Sequence, residues 1–349
     1  MEARIFLATL LRNRGSIAVR RGRMDEAVET YDFALSLVDD EGEDRFRRIR
    51  SMLYNSRALA LSKAFRLEEA MVWLRKALEI AVATGDLKTE IQVRINMSVV
   101  DNDSGRNGRA LETLRSEHDR LEMLVGPTRE LAALKFNIGE CYMFMERCGE
   151  AEPWYRQALD IGERIGYLEF VVGTRYNLAE MLHSLGRSEA ALKVLLPADR
   201  MARKGGWDML RLDIDNLLGE IYREQGDYAH ARKFHDSALG LSGSLGDVFG
   251  RSWALRNVAS DILRDPASGE DEREDCGKML AESVELARQA GQPENLMFSL
   301  RALLTWKIEF ESGKLREARP LFTELRETAE KVDSAAFGEF CAAVAKRFE

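Results

Sequence analysis

The 349-residue chain combines 45% hydrophobic with 32% charged residues and carries a formal net charge of −8. That composition can build a large core, and it lacks the basic excess expected of a nucleic-acid-binding surface. Six prolines against abundant Ala, Leu, Glu and Arg favour helix over strand. The cysteines, Cys141, Cys148, Cys276 and Cys341, form no Cys-x-x-Cys pair and stand near no histidine at zinc-ligand spacing. No stretch approaches the ~20 apolar residues of a membrane span. The apolar run Ile5–Leu11 is short and precedes Arg12 and Arg14, the reverse of a signal peptide's order. The chain therefore reads as cytoplasmic, with its thiols reduced.

In chain order the sequence repeats one frame about eight times. GRMDEAVETYDFAL opens it, with small residues at Gly15, Ala27 and Ala34 and a glycine at Gly42. FRLEEAMVWLRKAL follows with Ala58, Ala70, Ala77 and Gly85, then GRNGRALETL with Ser98 and Ala110 and a displaced Gly126. ERCGEAEPWYRQAL carries Gly139, Ala151, Ala158 and Gly166; GRSEAALKVLLPA carries Ala179, Ala191, Ala198 and Gly206; GDYAHARKFHDSAL carries Gly219, Ala231, Ala238 and Gly246. A weaker seventh copy has Cys276, Ser283 and Gly291, and GKLREARPLFTEL ends the series at Ala318. Successive second markers lie 40–45 residues apart. Two small residues seven apart share a helical face and let a neighbouring helix approach closely, and the closing glycine suits a left-handed helix cap. Each unit is thus expected to hold two antiparallel helices of roughly 15–18 residues.

Several local departures carry their own expectations. DPASGEDERED, 265–275, reads as an exposed acidic loop inserted in the seventh unit. Trp306 replaces the first-helix small residue of the eighth unit, so close packing there is in doubt. Pro197 should kink or end its helix, whereas Pro153 and Pro320 fall early in theirs, where a first-turn proline is tolerated. The array spans 1–333 and 334–349 reads as a covering helix. No polar capping helix precedes the first unit, which suggests an arm of a longer polypeptide.

This small–small–small spacing of twelve and seven resembles the tetratricopeptide repeat over roughly residues 1–331, in a long variant similar to the repeats of kinesin light chain, cell-polarity adaptors, peptide-pheromone receptors and maltose-type activator arms. The resemblance implies an all-α, right-handed α-solenoid, a superhelix of about eight helix–turn–helix repeats. It also implies a concave groove that binds a partner protein or extended peptide, with no cofactor. Where a chaperone-tail carboxylate clamp would place basic residues, this chain has Gln92 and Asn96.

Along the first helices an asparagine recurs: Asn13, Asn55, Asn96, Asn137, Asn177, Asn216 and Asn257. Asparagine is a poor helix former, so seven copies need a reason. The resemblance places that position in the groove, where an amide can donate to and accept from a peptide backbone. The competing reading is that the amides bond between repeats and lock the stack. Glu140, Glu180 and Glu220, forty residues apart, fall on the same face and with Asp213 would make the C-terminal half of the groove acidic. Arg12, Arg20 and Lys63 would make the N-terminal half basic, a polarity that could orient a charged ligand; a merely solvated helix face is the alternative. Arg94, Lys135 and Arg175 each stand two before an asparagine and are expected to flank the groove or pair with acids. The histidines, His118, His183, His230 and His235, lack metal-ligand spacing, and no nucleophile–base set or phosphate loop is visible. The chain therefore reads as a scaffold that binds protein or peptide and not nucleic acid or membrane, with a regulatory or sensor arm of a larger protein as the alternative and catalysis disfavoured.

Overall fold

The computed structural model describes residues 2–20, 22–38, 44–124, 126–311, 316–332 and 335–345. They form α-helices and no strand. In order these are α1 Glu2–Arg20, α2 Met24–Ser36, α3 Asp44–Lys63, α4 Leu67–Ala83, α5 Leu87–Asp103, α6 Asn107–Leu124, α7 Arg129–Phe144, α8 Cys148–Arg164, α9 Leu168–Ser184, α10 Ser188–Gly205, α11 Asp208–Glu224, α12 Tyr228–Leu245, α13 Val248–Arg264, α14 Glu270–Ala290, α15 Pro293–Phe310, α16 Arg319–Val332 and α17 Ala335–Ala345. The chain divides into two compact units, Met1–Thr174 and Arg175–Glu349. The all-α repeat architecture read from the sequence is the one observed.

Each repeat pairs a first and a second helix, and the small residues mark where the two cross. Ala27, Ala70, Ala110, Ala151, Ala191, Ala231 and Cys276 are all buried. A rule of complementary size governs what each first-helix small residue meets sixteen positions later. Where it is Ala58, Ser98 or Ala179, the partner position holds Leu74, Leu114 or Leu195; where it is Gly15, Gly139 or Gly219, the position holds Tyr31, Tyr155 or His235. A Cβ on Gly15 would lie 2.4 Å from Tyr31 Cε1, and one on Gly219 2.4 Å from His235 Nε2. Glycine is therefore the notch that admits a ring, at constant total volume. The eighth repeat inverts the rule. Trp306 is 8% exposed; its ring fills the space over Gly277 of α14, and its Nε1 donates to Arg273 O at 2.8 Å. The doubt about packing at Trp306 is thus resolved by a small residue on the neighbouring helix.

The turn inside a repeat is equally regular. Five positions before the second-helix alanine the backbone adopts positive φ, at Gly22, Gly105, Gly186 and Gly226 but also at Phe65 and Glu146, each at φ 58°. At Phe65 the amide N donates to Ser62 O and the next amide, of Arg66, to Leu61 O, both at 2.9 Å, which closes the helix end. Between repeats Gly85, Gly166, Gly206, Gly246 and Gly291 also have positive φ; Gly42 lies outside the described residues.

Two local expectations are corrected. The acidic stretch 265–275 is not a loop throughout, because α14 begins at Glu270 with Glu270, Asp271 and Glu272 in its first turn. Acids are favoured there by the helix dipole, and Arg273 Nη2 anchors the short turn by donating to Asp265 O at 2.7 Å. Of the two outcomes expected at Pro197, an end to the helix is not the one seen, since α10 runs through it to Gly205. At the far end of the second unit α17 packs on α16, and Phe337 and Cys341 join Leu300, Leu304, Leu325 and Ala329 in one core.

Candidate functional site

First helices of neighbouring repeats touch one another: α1, α3, α5 and α7 in the first unit, α11, α13 and α15 in the second. They form an inner face in each unit, and the asparagine series lies on these helices except for Asn177, which is on α9. The amides meet different fates. Asn13 is exposed on α1. Asn96 Nδ2 donates to Asn55 Oδ1 at 2.8 Å, tying α5 to α3, and Asn96 Oδ1 accepts from Gln92 Nε2 at 3.4 Å. Asn137 Nδ2 turns back to Ala133 O of its own helix at 2.7 Å. Asn177 is half-buried on α9. Asn216 and Asn257 are buried, 8% and 4% exposed, and each retains a buried polar atom with no hydrogen-bond partner, Oδ1 of Asn216 and Nδ2 of Asn257. Leaving such a group unsatisfied costs about 1–3 kcal/mol, and unsatisfied groups of this kind call for a partner from outside the fold.

The acidic residues also separate. Tyr155 Oη donates to Glu140 Oε1, so Glu140 in the first unit holds the ring that fills the Gly139 notch. In the second unit Tyr176 Oη donates to Glu180 Oε1 at 3.3 Å, and Glu180 lines a small pocket of about 80 Å³ with Asp213, Asn216, Glu220 and Asp247. Burial, then Asp247 and Glu180, raise the Asp213 carboxyl to about 6, although its side chain reaches solvent. A concave wall is open to water yet surrounded by protein of low polarisability, so repulsion there is poorly screened. Burial foremost, reinforced by Glu180 and Asp213, also raises the Tyr176 hydroxyl.

Of the basic residues, Arg94 pairs with Glu90 at 3.2 Å and Glu117 at 3.3 Å. Lys135 is buried, with Nζ 2.8 Å from His118 Nε2 and donating to Gln157 Oε1 at 2.8 Å. Both are absorbed by neighbours of the helix stack. Arg175 is half-buried on α9; the side chain of Arg20 lies outside the described residues.

A cavity of about 760 Å³ opens between α11, α13 and α15 and was not anticipated from the sequence. Its walls include Glu220, Arg223, Trp253, Arg256, Asn257 and Phe298. Arg223 Nη1 donates to Asn257 Oδ1 and Asp261 Oδ1, both at 3.3 Å, which fixes Nδ2 as the Asn257 atom left over. Asp261 in turn meets His235 Nδ1 at 2.5 Å in a fully buried pair. Sequence reasoning found Asn257 and Glu220 through their period; Arg256, Trp253 and Phe298 follow no period and gave no signal.

Burial pushes the Cys141 thiol up to about 12, with Glu140 adding to it, and burial pushes Cys276 up to about 11, so neither is poised to react. Among the described residues no helix is long and apolar enough to cross a membrane.

Paired helices with an inner face of amides and cavities define the class, an α-helical repeat protein. The Tetratricopeptide repeat profile matches residues 6–81 and 129–198, and a second profile of the same description matches 216–249. Together these cover just over half of the chain, and the chain belongs to the tetratricopeptide repeat family. No curated protein sequence matches it. Among solved structures it is similar to a signal-transduction ATPase with a tetratricopeptide repeat sensor from Pyrococcus horikoshii, at 15% identity and a TM-score of 0.65 over 91% of this chain and 49% of that one. It is also similar to aspartyl phosphate phosphatase F from Bacillus subtilis, at 13% identity and 0.60 over 92% and 93%. A Rap protein complexed with competence and sporulation factor matches at 18% identity and 0.58 over 86% and 75%. Likenesses this distant establish the fold.

Proposed function

We propose that the chain is a binding module whose second unit holds an extended polypeptide segment on its inner face, with Asn216 and Asn257 as backbone-reading amides. The observation that carries this is the pair of buried, unpartnered amide atoms beside the two pockets. In the first unit Asn55, Asn96 and Asn137 already hold bonds within the fold, so the reading is centred on the second unit. A Rap conjugation gene regulator of plasmid pLS20, in complex with the Phr* peptide, supports it by analogy of fold.

The test is selection of random peptides displayed on phage, followed by titration of the enriched clones against the wild-type chain and the Asn216→Ala/Asn257→Ala variant. Loss of two modest hydrogen bonds should weaken binding by about 10–100-fold, while melting stays level or rises because alanine is the better helix former. Clones that bind both proteins equally would overturn the reading.

A second reading, in which the module is the sensor arm of a larger signalling protein, is favoured by one surface. Phe6, Leu10 and Ile17 are exposed on one face of α1, an apolar stripe that another folded segment would cover. Immunoblotting of the source cells tests it: a native species well above 39.6 kDa supports the arm, and one at that mass supports the free scaffold.

A further inference from the structure

The floor of the large cavity has a charge without a counter-charge. Arg256 projects from α13 and reaches α15 through one nitrogen: Nη1 donates to Asn295 Oδ1 at 3.1 Å and, more weakly, to Asn295 O and Ser299 Oγ at 3.5 Å each. Among the described residues no carboxylate lies within ion-pairing distance of its guanidinium, and Nε and Nη2 make no hydrogen bond. The charges at the rim, Arg264, Arg301, Glu294 and Glu309, are exposed and screened by water; Glu220, on the wall, supports the Arg256 charge without touching it. Burial lowers Arg256 to about 10 against the pull of Glu220, so it remains a cation at neutral pH, held in a poorly solvated place. Beside the same cavity Asn257 Nδ2 is a buried donor with no acceptor. Two donor groups without an acceptor at the floor of one cavity call for an anion with lone pairs. The remaining walls are aromatic, with Trp253 6.0 Å and Phe298 5.4 Å from the Arg256 guanidinium carbon.

We infer that this cavity receives a carboxylate carried next to an aromatic or large apolar group, with Arg256 and Asn257 binding the oxygens and Trp253 and Phe298 the ring. The inference rests on the peptide-binding reading and deepens it by naming the anchor. A planar guanidinium suits a carboxylate because two N–H groups can point at two oxygens. An occupant would satisfy Asn257 and neutralise Arg256 in one step. A cationic anchor would leave both as they are, and a neutral carbonyl could accept from Asn257 but would bring Arg256 no counter-charge. The carboxylate can come from a peptide's C-terminus or from an Asp or Glu side chain, and the probes separate the two.

The experiment follows the indole N–H resonances of Trp253 and Trp306 by nuclear magnetic resonance. Three probes are titrated into the full chain: N-acetylphenylalanine, N-acetyl-aspartyl-phenylalaninamide and N-acetyl-asparaginyl-phenylalaninamide. The first offers a terminal carboxylate, the second a side-chain one, and the third none. At least one acid should shift the Trp253 signal saturably, with a Kd on the order of 1 mM and about tenfold tighter than the amide. The tighter acid identifies the source. Arg256→Gln should erase the difference between acid and amide while weak binding of the ring persists. Equal affinity for acids and amide overturns the carboxylate anchor but leaves the peptide reading standing. No saturable shift from any probe overturns the anchor as well, and the phage selection then decides the peptide reading by itself. Should Arg256→Gln fail to fold, the acid–amide comparison on the wild-type chain suffices.

Discussion

Replacing Gly15 with alanine tests whether paired volumes hold the repeats together. The added methyl would lie 2.4 Å from Tyr31 Cε1, 2.7 Å from Cζ and 3.0 Å from Cδ1, against an ordinary carbon–carbon contact of about 3.5–4.0 Å. The ring must therefore retreat by about 1 Å, and Tyr31 is buried among Ala8, Ala18, Ala34 and Leu53 with little room. Overpacking of this kind costs about 1–3 kcal/mol. Alanine returns about 0.8–1.0 kcal/mol as the better helix former, so the net destabilisation should be about 0–2 kcal/mol. Ala58 with Leu74 and Ala179 with Leu195 show what the same fold uses when the first residue is alanine. Gly15→Ala combined with Tyr31→Leu should therefore recover most of the loss. Urea denaturation of both single variants and the double, followed by circular dichroism, yields the coupling energy, which should be at least about 1 kcal/mol in favour of the double. Single effects that simply add would show that these positions do not share one volume.

Other consequences follow from particular side chains. Phe65 is 85% exposed at φ 58°, so Phe65→Gly should remove about 1–2 kcal/mol of left-handed strain against about 0.4–1 kcal/mol of added unfolded-chain entropy; a rise in the urea midpoint checks it, and a fall would refute it. Asp213 titrates near 6 in the fold against 3.8 ordinarily, so the native state binds the proton more tightly and this group's contribution to stability falls as pH rises from about 4 to about 6. Asp213→Asn should flatten the stability profile over that window and raise stability at pH 7; melting curves across pH test this, and an unchanged profile would rule it out. Trp306→Ala would empty the notch over Gly277 and remove the bond to Arg273 O, costing about 3–5 kcal/mol, which denaturation measures; a change below about 1 kcal/mol would mean that the eighth repeat is not closed by this ring.

Much of the fold was legible because its instructions are local and repeated. A small residue at a helix crossing is required by sterics, so Ala27 through Ala318 stand in phase, and the left-handed closure of a helix favours glycine at Gly85 or Gly206. Where the sequence misled, a local cue was outweighed by its surroundings. The acids at 270–275 are loop-like by composition, yet a helix N-terminus welcomes them. Trp306 looked too large for its slot because the residue that accommodates it, Gly277, lies 29 positions away on another helix. Phe65 and Glu146 hide a glycine-type turn because the hydrogen bonds of the helix end tolerate a modestly strained residue.

The site was less legible, for a reason that belongs to repeat proteins. Periodicity identifies every position that faces inward, but it treats all copies alike, and the seven asparagines are not alike. Asn96 has Asn55 within reach, and Asn137 has the carbonyl of Ala133; in each case the neighbour takes up part of the amide's hydrogen-bonding capacity. Asn257 differs because Arg223 engages its oxygen and nothing engages its nitrogen. What distinguishes a binding amide from a locking one is therefore the residue opposite it, a property of pairs of helices that no single position encodes. Binding specificity in such an array is expected where the repeat is broken, at residues such as Arg256, Trp253 and Phe298, because an amide that recurs in every copy reads a backbone and not a particular side chain.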